Sequence, residues 1–135
     1  WIPKRTANGF DYNRLAVLIA VLEKRAGLAL GGQDIYLNIA GGMKINEPAL
    51  DLALVMALIS SFKNRVIDPR TIVFGEVGLA GEVRAVSQAD KRVQEAKKLG
   101  FTTCIMPAVS KKNLTEITGI NIIGVNNIKE AEELI

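Results

Sequence analysis

Between Asp11 and Ile39 the apolar residues change their period, and no all-helical or all-strand fold accommodates both halves of that change. Leu15, Leu18, Ile19 and Leu22 recur at i, i+3, i+4 and i+7, which is one face of a helix. Asp11 stands where it can cap the start of that helix, and Gly27 follows its last turn. From Gln33 to Ile39 the pattern alternates instead, with Ile35, Leu37 and Ile39 opposite Asp34, Tyr36 and Asn38. That is a half-buried strand. A chain of 135 residues that contains both periods is expected to be a single mixed α/β domain around one core.

The remaining segments extend the same reading. Gly41-Gly42 breaks the strand, and Met43-Lys44-Ile45 is expected to lengthen the sheet. A second helix runs from about Pro48 to Lys63, with proline in the first turn, where no helical partner for its N–H is lost. Ala49, Ala53 and Ala57 form a small-residue stripe with Ser60 and Ser61, which predicts close packing against a neighbour. Thr71 to Phe74 reads as a strand, and the run from Gly75 to Val86 as a hairpin turning at Ala80-Gly81. Ser87 and Asp90 are spaced to cap a helix that reaches Leu99. Thr103 to Met106 and Ile120 to Val125 follow as strands, separated by one helical turn near Lys111 to Leu114. Asn127 with Glu130 caps a last helix.

Composition narrows the chemistry. The single cysteine, Cys104, and the absence of histidine exclude an internal disulfide, a Cys/His zinc site and every His-based nucleophilic machine. Glu76, Glu82 and Asp90 are scattered acids without metal-ligand spacing, so no metal site is expected. No Walker-type phosphate loop occurs, and Gly31-Gly32 and Gly41-Gly42 read as turns. The apolar run from Ala49 to Ile59 is too short for a bilayer and holds Asp51, so no membrane partner is expected. A net charge of +3 is compatible with an anionic partner without naming one. A start at Trp1 instead of methionine reads as a piece of a longer protein.

Three stretches carry a specific resemblance: Asn13-Arg14-Leu15-Ala16, Asn46-Glu47-Pro48-Ala49-Leu50-Asp51-Leu52-Ala53, and Val73 through Arg84 with its run FGEVGLAGE. Together they resemble the C-terminal domain of the RadA (Sms) family of bacterial DNA-repair proteins. The last two also resemble the proteolytic domain of Lon. The resemblance implies a Lon-like fold over residues 11–135, with 1–10 as a connector from a missing N-terminal part.

In the Lon family these segments carry a nucleophilic serine and the lysine that serves as its base. The serine slot falls on Ala49 and the lysine slot, counted from Gly75, on Asp90, with Lys91 one residue aside. The resemblance therefore implies a catalytically inactive pseudo-peptidase and no enzyme in this fragment. An active Ser-Lys peptidase is the weaker alternative.

For the whole protein the resemblance implies a cytoplasmic, DNA-dependent ATPase that processes branched recombination intermediates beside the RecA recombinase. ATP, magnesium and zinc belong to its missing parts, and no cofactor to this one. The fragment's expected partners are copies of itself, in a hexameric ring, and single-stranded or branched DNA. Arg84, Lys91, Arg92, Lys97 and Lys98 are the candidate DNA contacts, because Lys91 and Lys98 lie seven apart and share a helix face. A second reading is a protein-interaction or ligand-sensing module that reuses the former peptidase groove.

Overall fold

The structure, a computed structural model, describes residues 2–135; Trp1 lies outside the described residues. The 3.6 period yields α1 (Tyr12–Arg25), whose start is capped by Asp11 accepting from the Asn13 N–H at 3.3 Å. Its buried side chains are Leu15, Leu18, Ile19, Val21 and Leu22. The alternating segment yields β2 (Ile35–Asn38), which pairs in parallel with β1 (Arg5–Asn8). Residues 5–8, read from sequence as part of a connector, are thus a strand.

Met43-Lys44-Ile45 does not extend this sheet. Gly41 and Gly42 take positive φ, the chain leaves the strand direction, and Ile45 instead donates its N–H to the Gly9 carbonyl at 2.7 Å. A short 3-10 turn (Pro48–Leu50) then leads into α2 (Asp51–Lys63). The inward face of α2 is Leu52, Val55, Met56 and Ile59, all at most 1% exposed. The small-residue stripe faces elsewhere: Ala49 is buried, but Ala53 is half-buried and Ala57 exposed. The bulky i, i+3, i+4, i+7 set fills the core, so Ala53 and Ala57 are left toward solvent.

β3 (Thr71–Val73), β6 (Thr103–Pro107) and β7 (Asn121–Val125) form a parallel three-stranded sheet in the order β3-β6-β7. Between β3 and β6 lies the expected hairpin, β4 (Glu76–Val77) and β5 (Val83–Arg84). Gly78 donates to Glu82 at 2.9 Å, Gly81 donates back to Gly78 at 2.9 Å, and Gly81 has φ of +81°, which a side chain would strain.

The helix α3 (Ala89–Lys98) starts differently from expectation. Gln88 is its N-cap in the left-handed region, and no side chain caps it. Asp90 is drawn away by Thr115, accepting from its N–H at 3.4 Å and its hydroxyl at 3.1 Å. The helical turn near residue 111 becomes α4 (Ala108–Lys112). The capping pair on α5 (Ile128–Glu132) forms as the sequence implies, Asn127 accepting from the Glu130 N–H at 2.9 Å.

The result is one mixed α/β domain with two hydrophobic clusters. The larger gathers α1, α2, the hairpin and α5. The smaller lies under α3 and is built from Phe74, Val93, Ala96, Cys104, Met106 and Ile120. Burial pushes the Cys104 thiol up to about 12, so it stays protonated and behaves as a small hydrophobe.

Candidate functional site

The three motif stretches, far apart in sequence, meet at one carboxylate. Asp51 opens α2 and is fully buried. It accepts from Arg14 Nε on α1 at 2.9 Å, makes a second, closer contact with Arg14 Nη2, and accepts from the Val77 N–H of the hairpin at 3.1 Å. A forked guanidinium and a backbone donor satisfy both oxygens of a charge that could not otherwise remain in the core. The hydrogen-bonded Asp51 raises the Arg14 pKa, Glu76 and Asp11 add to the same field, and partial burial opposes it.

Backbone bonds join the same segments. Gly75 donates to the Ala49 carbonyl at 2.8 Å, and Leu52 donates to the Gly75 carbonyl at 3.0 Å. A Cβ on Gly75 would come within 3.0 Å of Val83 and 3.2 Å of Leu52, so this approach requires glycine. The junction is a structural clamp whose one carboxylate is fully engaged. Sequence reading passed over the pair. The available signal was an aspartate inside an apolar helical run, where only a partnered charge is tolerated.

A groove of about 680 Å³ runs beside this junction, between the outer edge of β3 and α3. Ala49, Phe74, Lys91, Arg92 and Leu99 contribute to its walls. The two supposed dyad positions do not meet there. Ala49 is on the wall, whereas Asp90 is turned to Thr115, and the neighbouring Lys91 is the residue that faces the groove.

The candidate DNA contacts divide into two groups. Arg84 is paired with Glu82 at 3.1 Å, and the Glu82 carboxyl is held below the ordinary carboxylate range by its own backbone N–H, then Arg84 and the Ala80 N–H. Arg92 is also occupied: it pairs with Glu47, donates Nε to the Ser87 carbonyl at 3.0 Å, and lies 5.7 Å from the centre of the Phe74 ring. That cation–π seat makes it a wall of the groove. Lys91, Lys97 and Lys98 are exposed, and none has a salt-bridge partner among the described residues. No helix among the described residues is long and apolar enough to cross a membrane.

Comparison with known proteins covers nearly the whole chain. The RadA DNA repair protein of Bacillus subtilis (strain 168) is 52% identical over 129 residues, which cover 96% of this chain. Those of Synechocystis sp. and Streptococcus pneumoniae are each 48% identical, over 93% and 94% of it. This chain belongs to the RadA family of DNA repair proteins. It spans only 28%, 25% and 30% of the length of those three relatives.

Residues 13–110 also match the family described as subunit ChlI of Mg-chelatase. That match corrects one expectation. The stretch holding Ala49 and Asp90 falls in a family described by a subunit of an enzyme, a chelatase, and not by a peptidase. The reading of this fragment as a non-enzymatic pseudo-peptidase is therefore overturned. Ala49 and Asp90 are positions of this domain's own architecture, one packed against the Gly75 hydrogen bond and the other bonded to Thr115.

Proposed function

We propose that this chain is the C-terminal module of a RadA-family DNA repair protein, supporting ring assembly and presenting α3 to the DNA backbone. The observation that carries the reading is the set Lys91, Lys97 and Lys98, exposed on a helix whose opposite face is fixed in the core by Val93 and Ala96. Three solvated ammonium groups without acidic partners suit phosphates irrespective of sequence. A single module would bind weakly, and a hexameric ring would multiply that contact through effective concentration.

The wider assignment rests on the relatives' name, DNA repair protein RadA. In it, ATP, magnesium and zinc act in segments outside this chain. The whole protein works on branched recombination intermediates beside the RecA recombinase, in the bacterial cytoplasm. Likeness to the Lon proteolytic domain enters as architecture alone, supported by the segment 46–53 leading into α2 beside the FGEVGLAGE hairpin.

The test is a fluorescence-anisotropy titration of the assembled protein on labelled single-stranded and branched oligonucleotides at several salt concentrations. The expected result is affinity that falls with salt with a log–log slope of about −2 per module on single strands, as three phosphate contacts require. Binding that is absent at low salt, or indifferent to salt, overturns the reading.

A further inference from the structure

We infer that the outer edge of β3 is a docking site for an extended peptide segment of another protein, which adds a fourth strand to the β3-β6-β7 sheet. The argument begins with the direction of backbone groups. Phe74 donates its N–H to the Ile105 carbonyl at 3.1 Å, and the Arg70 carbonyl accepts from Thr102 and Thr103. In a parallel ladder this parity turns residues 70, 72 and 74 toward β6 and residues 71 and 73 away from it. The N–H and C=O of Val73 and the C=O of Thr71 therefore point outward, and none has a partner among the described residues.

One residue further, the same edge is already satisfied. Gly75 has the parity of Val73, and its N–H and C=O are taken by Ala49 and Leu52 of the chain itself. The edge is thus closed at Gly75 and open at Val73 and Thr71. The open part coincides with the groove of about 680 Å³. Ile72 and Val73, whose side chains leave opposite faces of the strand, both line it, so the groove follows the edge of the sheet and not one face.

The groove's size and lining fit a single strand. Phe74 and Ala96 are buried at its base, while Leu99, 68% exposed, stands at its rim. Backbone groups select an extended backbone, and the apolar rim selects a hydrophobic side chain at one alternate position. Charge selects the next: Glu47 is held by Arg92, so Lys91 is the unpaired cation at the rim and favours one acidic residue. Glu95, also on the groove, disfavours more than one.

The probe is a phage-displayed library of random seven-residue peptides, selected on the protein and followed by the enriched peptide in capped form. The expected enrichment is an alternating sequence with an apolar residue and a single acid. The bound peptide should slow exchange of the Val73 amide proton, observed by NMR. An N-methylated analogue, keeping the side chains but losing a backbone donor, should lose that effect. Leu99→Ser, an exposed and uncharged change compatible with folding, should weaken the peptide by about tenfold and leave DNA affinity unchanged, because it removes apolar surface and alters no charge on the helix that carries the phosphate contacts.

Absence of enrichment, or equal binding of the N-methylated analogue, overturns strand addition. Protection of the Val73 amide in the free protein that grows with protein concentration also overturns it, by seating a second copy in the groove.

Discussion

α2 and α3 are similar in length and differ in almost everything else. Six residues of α2 are buried, Asp51 among them, and its one buried charge is consumed by Arg14 and the Val77 N–H. α3 buries only Val93 and Ala96 and leaves its cations in solvent. The segments that identify the family sit at the first helix, where they satisfy one another. The exposed lysines sit at the second. In this domain, the motif residues Arg14, Asp51 and Val77 hold the architecture, and the exposed lysines lie on the element packed against the smaller cluster.

The contrast breaks most readily at Arg14. Arg14→Ala leaves a fully buried carboxylate without its guanidinium, and we expect a loss of about 3–5 kcal/mol in denaturant unfolding. A loss near that of an exposed ion pair would show that water reaches Asp51. Met106→Ala probes the smaller cluster, where a buried methionine is expected to contribute about 2–4 kcal/mol. Cooperative unfolding of both variants, by near-ultraviolet and far-ultraviolet circular dichroism together, would join the two clusters into one unit; separate transitions would divide them.

Cys104 gives a smaller, pH-dependent effect. Its folded pKa is raised above the unfolded value of about 8.5, so its contribution is fully present below that pH and declines as pH rises toward about 12. Alkylation at pH 8 should proceed only through unfolding, with a rate that follows denaturant concentration. The smallest effect is expected from Ala57→Leu, within about 0.5 kcal/mol, since Ala57 is exposed. A loss of several times that would restore the close neighbour that its spacing suggests.

These expectations also mark what sequence patterns reveal. α1 with its Asp11 cap, the hairpin at Gly81 and the Asn127–Glu130 cap are local, fixed by residues within a few positions of one another, and they are legible. The Arg14–Asp51 pair joins residues 37 apart and leaves no local period. Asp90 illustrates the same limit: its spacing from Ser87 fits a cap, but Thr115, 25 residues on, competes for the carboxylate. The open edge of β3 was equally hidden, because strand order, not strand pattern, decides which backbone groups remain unpaired.

The central claim, that α3 and not the motif-rich half meets DNA, is tested most directly by paired charge reversals in the assembled protein. One variant carries Lys91→Glu and Lys98→Glu on α3; the other carries Lys24→Glu and Lys44→Glu, two exposed lysines of the motif-rich half. Salt dependence of DNA affinity is measured for both, with circular dichroism and light-scattering mass as controls for fold and assembly. The account predicts that the α3 variant loses affinity on unrelated sequences alike and that its salt slope on single strands falls by about 1.4 per module, while the other variant keeps the parental slope. Equal loss in both variants, or an unchanged slope in the α3 variant with its assembly intact, would contradict it.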